Sequence, residues 1–252
     1  CIFKRENGGH IGRPAIRSYA LGYGFAQAVS KVIASITLIF VLIFGQASAA
    51  RAEPVTIVAF GDSLTQGYGL RAPDGFVPQL ADWLKANSTE SGAVRLINAG
   101  VSGDTTAGGA ARIDWTLTDD VDGVIVALGG NDLLRGIDPA VSRANLEKIL
   151  QATVARDVPV LLVGLVATAN MGPDFKQNFD QMYPELSAQY GTLYVRDFFI
   201  GLLQPDGTVD GDAVRARMQS DGIHPNKEGV RDIVEGLGPD VIELISLARL
   251  GR

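Results

Sequence analysis

From Val55 onward, short runs of continuous apolar residues alternate with segments whose apolar positions recur every three or four residues. Val55–Phe60 (VTIVAF), Val94–Ala99 (VRLINA), Gly123–Leu128 (GVIVAL), Val158–Val166 and Leu193–Val195 read as five strands, β-branched in character and followed by turn-forming residues. Between them, Phe76–Asn87, the stretch from about Thr106 to Leu117, Ser142–Arg156 and Lys176–Tyr190 carry helical periodicity; Leu146, Ile149, Leu150 and Val154 share one face of the third. Asp104 or Thr105 is placed to cap the second of these helices. Trp83 is expected in core or helix packing. GVIVAL is apolar at every position rather than at alternate ones, which suits a parallel strand covered on both faces. The alternation predicts an α/β fold: a mainly parallel five-stranded sheet with helices on both faces, formed by one domain over residues 53–252.

Three stretches depart from this rhythm. Ala167–Phe175 reads as a loop, and between Phe198 and Gln219 the pattern loosens around Asp206, Asp210 and Asp212. The terminal helical region, apolar at Val230, Ile233, Val234, Leu237, Val241, Leu244 and Ile245, is expected to be broken at Gly236, Gly238 and Pro239. The first fifty residues differ from all the rest. Lys4, Arg5, Arg13, Arg17 and Lys31 precede the apolar run Val32–Phe44, and small residues follow up to Ala52. That order matches a secretory signal peptide over residues 1–52, cut after Ala52 or Ala49; an uncleaved anchor or a core helix is the competing reading. Cleavage would leave a periplasmic or secreted protein with no stable membrane anchor. Cys1 precedes the apolar run, whereas a lipid-attachment cysteine should follow it.

Composition sharpens this picture once the leader is set aside. The 252-residue chain has 22 Lys and Arg against 28 Asp and Glu, and residues 53–252 keep 16 against 27, a net charge of about −11. An acidic domain of that kind is a poor partner for nucleic acid. Cys1 is the chain's one cysteine, so the exported part has neither a disulfide nor a thiol nucleophile. Of the two histidines, His10 lies in the leader, so any histidine-assisted chemistry falls to His224.

The candidate chemistry gathers at strand ends. Gly61-Asp62-Ser63-Leu64 follows the first strand, where a glycine lets the chain turn and present Ser63 at the sheet's C-terminal edge. A serine hydroxyl needs a neighbouring imidazole to take its proton, and an ordinary imidazole, with a pKa of about 6.5, suits that exchange. Asp221 lies three residues before His224 in Ser220-Asp221-Gly222-Ile223-His224-Pro225, and a turn through Gly222 can bring its carboxylate to the other ring nitrogen. A plain surface turn is the alternative for this motif. Donors for the oxyanion of an acyl-transfer intermediate are offered by the backbone N–H of Ser63, the backbone N–H of Gly103 and the side-chain amide of Asn131. Taken singly, Gly103 also reads as a helix-entry turn and Asn131 as a loop cap. Asp62, although it adjoins Ser63, is not assigned the acid's part.

Gly61-Asp62-Ser63-Leu64, Gly103 within NAGVSGDTT, Asn131 within GGND, and Asp221 with His224 within DGIHP resemble the four blocks of the SGNH (GDSL) hydrolase superfamily, in their usual order. The run ALGGNDLLRG (127–136) is similar to the periplasmic thioesterase, lysophospholipase and arylesterase branch of that superfamily. The resemblance spans about Val55 to Leu247. It implies a flavodoxin-like three-layer fold, no metal or organic cofactor, Ser63 as nucleophile, His224 as base, Asp221 as its orienter, and Ser63, Gly103 and Asn131 as the oxyanion hole. It also places acyl-chain contacts in the loop after the fourth strand, at Ala169, Asn170 and Met171. There the chain reads ANMG rather than the branch's usual Pro-Asn-Tyr-Gly, which leaves chain-length preference open. The expectation is a monomeric, exported serine esterase or thioesterase acting on acyl esters, among them aryl esters, lysophospholipids and acyl thioesters. A carbohydrate O-acetylesterase is the alternative within the superfamily, and a non-catalytic exported binding protein is the alternative outside enzymes.

Overall fold

The structure is a computed structural model and describes residues 54–88, 93–204 and 206–251. The proposed signal peptide and His10 lie outside the described residues. Five strands form one sheet in the order β2-β1-β3-β4-β5: β1 (Val55–Gly61), β2 (Val94–Gly100), β3 (Gly123–Ala127), β4 (Val160–Val163) and β5 (Leu193–Val195). Every pairing is parallel; Ile57 lies opposite Leu96 on one side and Gly123 on the other. Each residue of β1, β3 and β4 is buried, as continuous apolar runs require when both sheet faces are covered. Edge strand β2 is only partly buried, and its Arg95 reaches across to the Thr56 hydroxyl and to Asp120, placing a charge on the rim.

Two sets of helices cover the sheet. On one side α3 (Thr106–Thr116), α5 (Pro139–Val154) and α6 (Pro173–Tyr190) pack against one another; α2 (Phe76–Asn87) and α8 (Lys227–Leu250) form the other set. Short helices α1 (Ser63–Gln66), α4 (Gly130–Leu134) and α7 (Gly211–Ala216) lie in the connections after β1, β3 and β5. The result is the expected three-layer α/β arrangement. Its strand order reverses direction between β1 and β3, and crevices outside the carboxyl ends of strands at such a point are where ligands bind in open α/β sheets. The connections carrying Ser63 and Asn131 leave from those two ends.

Three expectations are corrected. The terminal region is not broken: α8 is one helix of 24 residues with Pro239 inside it. Its glycines serve close approach. A Cβ on Gly236 would lie 2.8 Å from Gly201 N, and one on Gly238 would lie 2.4 Å from the Trp83 ring, so these positions let the 200–202 turn and α2 seat directly on the helix. Pro239 is exposed, so the carbonyl it leaves unbonded one turn back, on exposed Glu235, can be met by water. The loose stretch from Phe198 to Gln219 holds a 3₁₀ turn at Ile200–Leu202 and helix α7. Ordered helix also starts earlier than periodicity indicates, at Pro139 and Pro173, because proline fits the first helical turn and carries no apolar periodicity. No helix among the described residues is long and apolar enough to cross a membrane.

Candidate active site

Ser63 owes its position to the residues on either side. Gly61 ends β1 where a Cβ would fall 2.1 Å from the Thr65 hydroxyl and 2.7 Å from Ala127 O, so a side chain there would push the turn off the sheet. Asp62 then caps α1, its carboxylate accepting from Leu64 N at 3.0 Å. The helix lasts one turn and closes at Gly67, whose φ of +89° suits glycine. Ser63 is thereby held at the first helical position, outside the end of β1.

The opposite wall is the loop before α8. Asn226 caps that helix by accepting from Gly229 N, and its own amide donates to Ala216 O, both at 2.9 Å. Gln219 N donates to His224 O at 2.8 Å and closes a turn through Gly222, φ +66°. Inside it, Oδ1 of Asp221 accepts from the backbone N–H groups of Ile223 at 2.9 Å and His224 at 3.0 Å. Its Oδ2 lies 2.7 Å from His224 Nδ1, and His224 Nε2 lies 2.8 Å from Ser63 Oγ. The His224 backbone N–H, then its ring and the Ile223 N–H, pull the Asp221 carboxyl down to about 2, so it is an anion at neutral pH. Tyr68 lays its ring 4.7 Å from that of His224, tilted by 38°.

The two further donor positions share a third wall. Gly103 has φ +80° in the turn after β2, and its carbonyl accepts from Arg135 at 2.9 Å. Asn131, in the first turn of α4, donates through Nδ2 to Asp104 O at 2.9 Å and stands 3.4 Å from Asp62 Oδ2. Behind them Asp132, fully buried, accepts from Thr106 N at 2.8 Å, the Thr106 hydroxyl at 2.5 Å and the Ser142 hydroxyl at 2.9 Å. Arg112 completes the wall: it pairs with Asp104 at 2.8 Å and donates to Ala99 O and Gly61 O, both at 2.9 Å. Thr105 rather than Asp104 caps α3. The sequence reading did not pick out Asp132 or Arg112, whose partners are brought together only by the sheet.

An apolar cavity of about 380 Å³ opens beside Ser63 and Asn131. Leu64, Leu133, Leu165, Phe199, Leu202 and Val214 are among the residues around it. Thr168 reaches it, but Ala169, Asn170 and Met171 are not among its lining residues; they form a 3₁₀ turn beyond. Much of the wall comes instead from the 199–218 stretch, which the sequence pattern left without an assignment.

A serine in hydrogen-bond contact with an imidazole that contacts a carboxylate, at the strand ends of a parallel α/β sheet and beside an apolar cavity, is the equipment of an acyl-transferring hydrolase. The GDSL-like lipase/acylhydrolase family matches residues 59–231, and the chain belongs to that family. It is 34% identical over 209 residues to esterase TesA of Pseudomonas aeruginosa, covering 82% of this chain and 96% of that one. To the thioesterase 1/protease 1/lysophospholipase L1 of Escherichia coli it is 30% identical, covering 83% and 92%. Among solved structures, that of TesA superposes with a TM-score of 0.65 at 35% identity, over 75% of this chain and 99% of the other. The SGNH-hydrolase family esterase AlinE4 gives 0.59 at 38%, over 76% and 97%.

Proposed function

We propose that this protein is a serine esterase and thioesterase that hydrolyses acyl esters through an acyl-enzyme formed on Ser63. The observation that carries the proposal is the unbroken line from Asp221 through His224 to Ser63, at 2.7 and 2.8 Å. Ser63 Oγ adds to the ester carbonyl carbon while His224 Nε2 takes its proton, and the Asp221 anion holds the imidazolium. The carbonyl oxygen, now an oxyanion, takes hydrogen bonds from Ser63 N, Gly103 N and Asn131 Nδ2. The bond to the leaving alcohol or thiol breaks as His224 returns the proton to it. Water then attacks the acyl-enzyme, again giving its proton to His224, and the acid departs as Ser63 recovers its own.

The substrate range follows from the cavity and the relatives' names. A volume of about 380 Å³ with apolar walls exceeds what an acetyl group fills, which favours longer acyl chains over a carbohydrate acetylester. Relatives are named esterase, thioesterase/lysophospholipase and arylesterase, which supports aryl esters, lysophospholipids and acyl thioesters as substrates. All five site residues come from one chain, so a monomer suffices. The basic, then apolar, then small-residue order of residues 1–52 supports export to the periplasm or medium.

Ser63→Ala tests the proposal directly. It should abolish turnover of a p-nitrophenyl acyl ester and labelling by a fluorophosphonate while leaving the melting temperature unchanged; an active variant would sink the assignment. Rates on acetyl, hexanoyl and longer esters, and on matched thioesters, then rank the substrates.

A further inference from the structure

The reaction just described leaves one carboxylate at its centre unused. Asp62 immediately precedes Ser63, is only 2% exposed and reaches the wall of the cavity. Among the described residues no lysine or arginine pairs with it. One of its oxygens is consumed by the Leu64 N–H; the other faces Asn131 Nδ2 at 3.4 Å, an approach that Gly130 allows because a Cβ there would already crowd that oxygen at 3.1 Å. Asp104 O takes one of the two Asn131 Nδ2 hydrogens at 2.9 Å; the other lies toward Asp62 Oδ2 at the long distance of 3.4 Å and is the one left to turn to a substrate oxyanion.

A side-chain amide has two orientations that differ in which end donates, and its surroundings choose between them. With the nitrogen toward Asp62 and Asp104 O, both contacts are attractive. Turned over, the amide oxygen would face a carboxylate and a carbonyl, and both would repel it. A neutral carboxylic acid would remove half of that preference, because its O–H can donate to the turned amide oxygen. Resting on the proposed role of Asn131 as an oxyanion donor, we propose that Asp62 is a positioning residue: as a carboxylate it locks the Asn131 amide with its nitrogen toward the reacting carbonyl, and as a carboxylic acid it releases it.

The lock falls within the working range of pH. Burial pushes the Asp62 carboxyl up to about 6, against the Leu64 hydrogen bond, the His224 ring and the Asn131 contact, which lower it. Asp104, in the turn before α3, adds a like charge that raises it further. On the α6 side the facing group is the Tyr183 hydroxyl, buried and pushed well above the ordinary phenol range, so it stays neutral. Activity in acid should therefore fall as Asp62 takes up its proton.

Asp62→Asn separates this role from a structural one, because asparagine caps a helix as well as aspartate does. The new amide nitrogen would meet that of Asn131, donor to donor, and only a turn of the Asn131 amide relieves the contact. The expected result is a fall in kcat of about 100-fold, the cost of one oxyanion donor, with KM and the melting temperature held or the latter raised. The acid limb of log kcat/KM against pH should be steeper in the parent than in the variant. In an Asn131→Ala background the substitution should cost nothing more, and Asn131→Ala alone should also show the shallower limb, a result that needs no change at Asp62. Acid limbs of equal steepness in parent and variant, additive losses in the double variant, or full activity of Asp62→Asn would each overturn the proposal. With Ser63→Ala still inactive, none of these results would touch the proposed function.

Discussion

The two sides of Ser63 are held by different means. On the His224 side, Asp221 reaches its partners within three residues: two backbone N–H groups and the ring. Asp221 keeps about a third of its side-chain exposure. On the donor side, Asp62, Asp104, Asn131, Arg112 and Asp132 are tied by contacts between residues up to 69 positions apart, and Asp62 and Asp132 are buried. The first side is a turn that sets its own geometry, so its carboxylate is stabilised as an anion even in contact with water. The second is assembled by the fold, and its Asp62 carboxylate carries the cost of burial. The local hydrogen bonds of Asp221 thus go with a lowered acid, and the burial of Asp62 with a raised one. Damage should differ accordingly: loss of chemistry without loss of fold on the first side, and loss of both on the second where a contact that the fold assembles, such as the Arg112–Asp104 pair, is broken.

The hardest break comes at Asp221. In Asp221→Asn the amide oxygen can still accept from Ile223 and His224 N, so the turn should hold. Its nitrogen then meets His224 Nδ1, and the ring must carry its proton on Nε2, where it cannot receive the one from Ser63. Choosing the wrong tautomer costs about 1,000- to 10,000-fold in kcat in triads of this kind. Steady-state kinetics with parallel melting curves check it. A loss below tenfold, or a collapse of stability, would mean that the turn does not set the ring by itself.

That same locality decides what could be read in the sequence. Asp221, Gly222, His224 and Pro225 lie within five residues, as do Gly61, Asp62 and Ser63, so a turn and its chemistry could be inferred from neighbours alone. The strands were equally plain, because β1 and β3 are apolar throughout. Asp132 stands next to Asn131 and still gave no sign of its task, since Thr106 and Ser142 reach it only across the folded chain. Arg112 sits on a helix surface until the sheet brings Gly61 O and Ala99 O beneath it. Gly236 and Gly238 read as helix breakers because a single sequence does not show what packs against them. The cavity wall from Phe199 to Met218 was hidden for a related reason: its apolar residues follow neither period.

Arg112 sharpens the comparison from the other side. Its guanidinium pairs with Asp104, donates to two strand-end carbonyls and lies 3.9 Å from the centre of the Phe60 ring. Arg112→Met keeps a long side chain against Phe60 but leaves Asp104 without its cation and removes one donor from each carbonyl, Gly61 O keeping Val101 N at 3.0 Å. Breaking a largely buried pair on one side costs about 3 kcal/mol. Because Asp104 O seats Asn131, kcat should fall as well. On the local side, Gln219→Ala removes donors to Tyr68 O and Pro225 O and should cost about 1 kcal/mol. Denaturant titrations of the two variants give the contrast, and equal losses would erase it.

A further effect is one of pH, and the two carboxylates should move it in opposite directions. Both start from 3.8 in the unfolded chain. Asp221, lowered to about 2, stabilises the fold above 3.8, and that contribution is lost as pH falls toward 2. Asp62, raised to about 6, works the other way: between 3.8 and 6 the unfolded chain releases a proton that the folded chain keeps, so stability falls as pH rises and stays lowered above 6. A shift of this size corresponds to roughly 2–3 kcal/mol. Asp62→Asn removes this titration while keeping the helix cap. Its stability relative to the parent should therefore climb between pH 4 and 6 and level off beyond, as read from urea melts at unit intervals of pH. Any change in packing shifts that whole line without tilting it. A flat difference would mean that the folded protein ionises Asp62 as easily as water does. A rising one would make a slower enzyme the more stable protein, which is the signature of a buried charge kept for the reaction and not for the fold.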